Sequence, residues 1–214
     1  AVINDDAEGN RLVREQAQIG LLLAGPGVIA TLTLAPLVLE LFYSAKFAEA
    51  VEVLRWICLG IALRVITWPM GFIIVAKGRQ GIFFVTELAW ALVNVGLTWI
   101  CVQTLGLVGA GIAFFASYVF HALMIFPVVR GLSGFRCSPE NRRAGLFFVS
   151  SIIVVFCGFQ VLTPVFAGFL GVLILIVSAI WSTRDLFRLV PVVGMPRWIR
   201  LLVRDWSLRS RPGL

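Results

Sequence analysis

Arg64 and Glu87 are the residues whose types and placement first raise a chemical question in this sequence. Arg64 stands near the middle of "LRWICLGIALRVITWPMGFIIVAKGR" (54–79), a stretch long and apolar enough to cross a bilayer, and Glu87 sits in the next apolar run, in "IFFVTELAW". A charged side chain at mid-bilayer costs about 2.5–3.5 kcal/mol on insertion scales, so it should face protein or a water-filled cavity and have a partner. Helical rise counted from Gly78 puts Arg64 ~20 Å and Glu87 ~13 Å from the same end of two antiparallel helices, and the ~7 Å offset is within reach of both side chains. An Arg64–Glu87 pair is therefore expected. Glu87, Asn94 and Thr98 step by seven and four residues, which places them on one helical stripe expected to face a cavity. Thr86 and Gln103 on the same helix, and Thr67 beside Trp68 and Pro69 on Arg64's, add to a wet interior face. Two uses of such a pair stay open: it can lock two helices together, or it can line a solvated path for a substrate. Pro69 either opens backbone groups to a cavity or merely bends a packed span.

Other residues carry weaker signals. His121, the single histidine, follows Ser117 and Tyr118 in an apolar run; a hydrogen-bonded histidine inside a bundle is the plainer reading, and a proton relay is the alternative. Gly106, Gly109 and Gly111 in "GLVGAGIAFF" lack the preceding strand and the Lys-Ser/Thr of a phosphate loop, so they predict a tight turn and close helix packing. Cys58, Cys101, Cys137 and Cys157 have no CxxC or metal-ligand spacing and are expected to be reduced thiols; no metal is expected.

The elements that must position these residues are membrane spans. Of 214 residues, 60% are hydrophobic and only 14% charged, and mean hydropathy is +0.98, which excludes an ordinary soluble domain. A span needs ~20 apolar residues. That ruler predicts an all-α polytopic bundle over 1–183 with six spans, at about 17–43, 53–76, 81–103, 107–129, 145–162 and 165–181. The last two are expected to form a hairpin at Pro164, with one long kinked helix as the alternative. A net charge of +7 reflects topology rather than nucleic acid, because the basic residues lie between apolar runs. Arg11, Arg14, Lys77, Arg79, Arg130, Arg136, Arg142 and Arg143 fall on one side with a basic tail (184–214), and only Lys46 and Arg55 on the other. Both termini are therefore expected in the cytoplasm. In the tail, Trp198, Leu202 and Trp206 recur at four-residue steps opposite Arg197, Arg200 and Arg204, as in a helix lying in the membrane interface; a solvated basic tail is the alternative. The chain starts at Ala1 without a basic n-region, and reads as the C-terminal part of something longer.

Three functional classes compete. A membrane enzyme would need a carboxylate pair, a metal site or a His/Cys/Asp cluster in a loop that meets substrate, and no such constellation occurs, so the chain is not expected to be an enzyme. Several hairpins with short loops and a charged, aromatic-lined midplane favour transport. A purely structural membrane subunit is the third class.

The segment "LELFYSAKFAEAVEVLRWICLGIALRVITWPMGFIIVAKGRQGIFFVTELAW" followed by "LGLVGAGIAFFASYVFHALMIFPVVR" resembles the C-terminal half of Wzx-type polysaccharide (O-antigen) flippases, of the multidrug/oligosaccharidyl-lipid/polysaccharide superfamily. The similar features are "LFYSAKF", "LRW", a basic residue at Arg64, "AKGR", "TEL" with Glu87, and "GLVGAGIAF", together covering roughly residues 10–130. The resemblance implies most of the second lobe of a two-lobed, MATE-like transporter in a bacterial inner membrane. Its partners would be membrane lipids, a lipid-linked oligosaccharide and an N-terminal lobe of the same chain. It implies translocation of an undecaprenyl-diphosphate-linked oligosaccharide for polysaccharide biosynthesis, with Arg64 meeting anionic head group or sugar acid, Glu87 tuning it, and Asn94, Thr98 and Trp68 along the path. Lys77 and Arg79 would gather the pyrophosphate at the entrance, or serve only as topology signals. No cofactor is implied beyond coupling to a proton or sodium gradient, for which Glu87 is the acidic candidate. A multidrug exporter of the same superfamily and a membrane enzyme of polysaccharide assembly are the alternatives.

Overall fold

A computed structural model of the chain describes residues 6–43 and 49–189, in which seven helices and no strand are found. They are α1 (Asp6–Thr33), α2 (Ala35–Phe42), α3 (Ala50–Ala76), α4 (Gln80–Leu105), α5 (Leu107–Ser133), α6 (Pro139–Val161) and α7 (Pro164–Leu189). All but α2 are long and apolar enough to span a membrane. The chain is thus an all-α, multi-pass membrane protein. Lys46, part of "LFYSAKF" and the residues of the proposed interfacial tail helix, including Arg197, Trp198, Arg200, Leu202, Arg204 and Trp206, lie outside the described residues.

Helix ends differ from the hydropathy boundaries because a helix need not stop where the hydrocarbon does. The expected first span, 17–43, is broken at Leu34: Pro36 has no N–H to continue the ladder and instead starts α2 within its first two positions. In exchange α1 reaches back to Asp6, and on its exposed first turns Arg11 pairs with Glu8 and Glu15 at 2.6 and 3.2 Å. α6 begins six residues earlier than expected, where Ser138 accepts a capping bond from the Asn141 N–H at 3.1 Å. α7 runs on to Leu189, so the expected division at 183/184 falls inside a helix. The hairpin at Pro164 is present, with α6 ending at Val161.

α3 is the hub, packed against α1 on one side and α5 on the other; α5 carries α4, and α1 carries α6 and α7. One cluster joins α1, α3 and α6 through Leu22, Ile29, Leu32, Cys58, Phe148 and Ile152. A second joins α1, α3 and α5 through Val13, Met70, Ile74, Ile125 and Val129. Lipid tails are as apolar as leucine, so association here depends on close packing and interhelical hydrogen bonds. Polar clasps close one end: Asn10 and Ser133 exchange bonds at 2.8 and 2.9 Å, the Arg14 Nε donates to the Arg136 carbonyl at 2.8 Å, and the Asn141 amide donates to the Arg14 carbonyl at 2.9 Å. At the other end Arg55, read from the sequence as a sparse outer charge, is buried. Its guanidinium bonds Glu52 at 2.7 Å and lies 3.8 Å from the Phe159 ring centroid, while Gln160 donates to Glu52 at 3.0 Å, tying α3 to α6.

The glycines of "GLVGAGIAFF" act as expected. Gly106 makes the α4–α5 turn at φ +65°. A Cβ at Gly109 would collide with the Cys101 carbonyl, and one at Gly111 would lie 2.8 Å from the Val53 carbonyl oxygen. Gly109→Ala should therefore destabilise the bundle by about 1–3 kcal/mol, whereas Gly96→Ala, which meets nothing within 4 Å, should be neutral or gain up to about 1 kcal/mol. Thermal unfolding in detergent, followed by size-exclusion of the folded fraction, measures both.

Candidate functional site

α3 and α4 are joined by three residues, Lys77 to Arg79, yet they pack far more on α5 than on each other. Where they part, a cleft of about 250 Å³ opens, floored by α5. From α3 it receives Arg64, Thr67, Trp68, Gly71, Phe72 and Val75; from α4 Phe83, Glu87 and Trp90; from α5 Tyr118 and His121. Helical spacing explains each set: 64, 67/68, 71/72 and 75 on α3, 83, 87 and 90 on α4, and 118 and 121 on α5 each recur at three or four residues.

The expected Arg64–Glu87 ion pair is not formed. The two side chains line the same cleft, but Glu87 turns to α5, with its Oε1 3.7 Å from the His121 Nε2. The physical reason is the packing order: α4 lies against α5, so Glu87 meets a residue of α5 before it meets one of α3. His121 is 8% exposed and its Nδ1 lies 3.3 Å from the Thr67 Oγ1, so one imidazole links α3, α4 and α5. The Thr67 hydroxyl also reaches the Leu63 carbonyl at 3.0 Å. With its hydrogen there, His121 Nδ1–H must donate to Thr67, and Nε2 then meets Glu87 favourably only when one further proton lies between them. In the other tautomer Nε2–H points at Glu87 across 3.7 Å, longer than a hydrogen bond, and Nδ1 accepts from the Thr67 hydroxyl.

Arg64 is exposed and has no ion-pair or hydrogen-bond partner for its side chain among the described residues. The partner expected for it is therefore not supplied by the described residues, and the guanidinium stands exposed on the cleft lining. Trp68, 64% exposed, flanks it and contacts Phe72 at 5.6 Å between ring centroids. Trp90 packs on Tyr118 at 5.3 Å and on His121 at 6.1 Å, and its buried indole N–H has no partner among the described residues.

The remaining sequence candidates separate. Asn94 is not on the cleft wall; its amide donates to the Ser117 hydroxyl at 2.8 Å and fastens α4 to α5. Thr98, one turn further, is half-buried and also lies off the cleft wall. Of the stripe expected to face a cavity, Glu87 lines this cleft and Asn94 is turned to Ser117 of α5. Lys77 lines a neighbouring apolar groove with Asn10, Gln16, Phe72 and Ser133, and Arg79 is the exposed residue that opens α4. No group of three or more metal-ligating side chains occurs among the described residues. Sequence reasoning left out Trp90 and Tyr118; His121 is the hydrogen-bonded histidine inside the bundle that the sequence led one to expect, and its place on the cleft was not foreseen. The available signal was the stripe Phe114, Ser117/Tyr118, His121 on an otherwise apolar helix, with Trp90 three residues from Glu87.

No family model, curated protein or solved structure matches this chain.

In a double-mutant cycle, Glu87→Ala with His121→Ala should show a coupling of about 0.5–1 kcal/mol, the usual range for an interhelical polar contact in a membrane. The Glu87→Ala/Arg64→Ala cycle should lie near zero. Tryptophan-fluorescence unfolding in mixed micelles measures both.

Proposed function

We propose that this chain is one lobe of a transporter that moves an amphipathic, anionic substrate across a membrane, and that the substrate is a lipid-linked oligosaccharide. The observation that carries the reading is Arg64: an exposed guanidinium midway along the 27-residue α3. Hydrocarbon rejects such a group, so the face of α3 that bears it must adjoin water or further polar protein. A second lobe enclosing an aqueous cavity supplies both.

The surroundings of Arg64 suit a substrate with two unlike ends. The cleft offers a cation, the Glu87–His121 pair and aromatic faces for sugar rings, which present both hydroxyls and apolar C–H surfaces. Along α1 and α3 runs an apolar groove of about 440 Å³ lined by Ile19, Leu23, Val65 and Pro69, and it shares Trp68 and Phe72 with the cleft. A polar head in the cleft with an isoprenoid chain in the groove is a natural fit. The pyrophosphate and sugars could not cross hydrocarbon alone, because their desolvation would be uncompensated. The resemblance to polysaccharide flippases over residues 10–130 supports the same reading, including a bacterial inner membrane. The aromatic share of the cleft, from Trp68, Phe72, Phe83 and Trp90, favours as second reading a multidrug exporter.

In a host whose surface polysaccharide depends on this protein, Arg64→Ala should lower export at least roughly tenfold, equivalent to losing about 1.4 kcal/mol of head-group binding. Protein abundance should stay near normal and Arg64→Lys should retain part of the export. Export at the unaltered level with normal abundance would remove Arg64 from the mechanism.

Orientation is tested separately. Cys137 is exposed in the loop between α5 and α6, and with both termini in the cytoplasm a membrane-impermeant maleimide should label it only after permeabilisation. Partial burial raises the Cys137 thiol pKa against the opposing pull of Arg14. The thiolate is the reactive form, so labelling should increase as buffer is made more alkaline.

A further inference from the structure

Two tracks run side by side along α3, parted by a ridge of Trp68 and Phe72. Arg64, Gly71 and Val75 line the polar cleft, and Val65, Pro69 and Ile73 line apolar grooves shared with α1. Trp68 and Phe72, one turn apart with ring centroids at 5.6 Å, stand between and border both. On the α1 side the groove of about 440 Å³ is continued by a second of about 300 Å³, and the two share Gln16 and Phe72. The cleft takes its α3 residues from Arg64 to Val75 and the grooves theirs from Val65 to Lys77. At the helical rise these are stretches of ~16 and ~18 Å, close to the ~15 Å of one leaflet's hydrocarbon. Both tracks therefore lie between the middle of α3 and the end of the bundle that carries Arg14, Arg79, Arg130 and Arg136. Leu12, Ile19, Leu23 and Phe72 are exposed along the grooves, which open sideways. Past Ala24 and Val65, where the groove linings stop, α1 and α3 are sealed together: Ile29 and Leu32 are buried in one cluster with Cys58 and Ala62.

We propose that α3 loads its lipid sideways from the leaflet at the arginine-rich end: the anionic head advances along the cleft toward Arg64 while the isoprenoid chain stays in the α1–α3 grooves. The Trp68–Phe72 ridge keeps the two ends apart and in register, which makes Trp68 and Phe72 positioning residues. This rests on the reading of Arg64 given above and adds to it the leaflet of entry, the path of the chain and the task of the ridge. Continuity and charge select the occupant. The grooves meet the cleft along the ridge and cover the same depth, so one molecule with an anionic end and a hydrocarbon end fills both. A head drawn into hydrocarbon without polar walls would lose its hydration uncompensated, and arginine answers phosphate oxygens with paired N–H donors. The chain, for its part, never leaves apolar surroundings, because Ile19, Leu23 and Val65 replace lipid tails one for one. The sealed α1–α3 seam past Ala24 gives the chain no equivalent path on the other leaflet, so loading is one-sided in this state.

Photolabelling of the full chain in phosphatidylcholine vesicles, with a polyprenyl diphosphate carrying a diazirine on its isoprenoid chain, tests this. In the wild type the label should fall in segments 12–24 and 65–76 and be displaced by excess unmodified polyprenyl diphosphate. Arg64→Ala should lower it roughly tenfold, since the head anchors the chain. Label confined to the outer face of α4 or to residues 28–34, with the Arg64 dependence kept, would overturn the path and leave Arg64 as a head-group residue. Groove label indifferent to Arg64→Ala would instead overturn the reading on which the path rests. Phe72→Ala should let the chain cross the ridge, so that label appears on the cleft segments 83–90 and 118–121, while Phe72→Trp should keep the wild-type map. A purely structural Phe72 would change the amount of label and not its place, and an unmoved map would remove the ridge from the proposal. Ile19→Trp, at an exposed position, should block the groove and cut its label roughly tenfold, whereas Leu92→Trp on the outer face of α4 should not. In vesicles with the Cys137 loop outward, probe added outside should label at least roughly tenfold more than probe enclosed within; equal labelling would overturn one-sided loading. The wild-type map needs no variant and decides the path even where a substitution prevents folding.

Discussion

A guanidinium halfway along an apolar helix constrains everything around it. Arg64 is 14 residues from the start of α3 and 12 from its end, too deep for easy snorkelling to either interface, and no carboxylate of the described chain comes to meet it. Glu87 is engaged by His121 instead. The charge is thus neither neutralised by its neighbour nor buried among helices. The remaining way to keep such a group in a membrane is to hydrate it or face it with polar protein, which turns one side of α3 from a lipid surface into a cavity wall.

The rest of the bundle builds that wall. α5 separates α3 from α4 by packing on both, so the short Lys77–Arg79 turn joins two helices that diverge. His121, nearly buried, bonds toward Thr67 on α3 and faces Glu87 on α4, which fixes the floor of the cleft to all three. Asn94 with Ser117 repeats the fastening two turns further along. Behind α3, Phe148 fits against α1 where Gly25 has no side chain, and the Glu52–Arg55–Phe159–Gln160 group holds α6 to α3 at the far end. The cleft is therefore supported on its closed side by rigid contacts and left open on the side of Arg64 and Trp68.

Much of this was legible in the residues. Six apolar stretches specify six spans because hydrocarbon thickness dictates their length, and the Pro164 hairpin, the Gly106 turn and the close approach at Gly109 and Gly111 follow from local stereochemistry. Where the spans begin and end was less visible: Ser138 and the Glu8–Arg11–Glu15 ladder extend helices into water, and Pro36 ends one early. Arg64, Glu87 and Trp68 were recognisable as members of one site because they share adjacent helices at matching depth. The pairing was not recognisable. Whether Glu87 meets Arg64 or His121 depends on which helix lies between, and that order is a tertiary fact which no spacing along the chain encodes. The bond from Asn94 to Ser117 depends on the same helix order.

The glycine contacts also determine which positions are free to drift as the protein evolves. At Gly109 and Gly111 neighbouring backbone occupies the space that any side chain would need, and at Gly60 the Phe114 ring does, so descendants of this sequence can vary at the first two only by moving helices and at the third only by re-seating that ring. The outer face of α4, with Phe84, Val85, Leu88, Leu92, Val95 and Trp99 all exposed, demands only that its residues remain greasy. Selection should hold the first set letter by letter and the second only by hydropathy, leaving the hub of the fold written in its smallest residues.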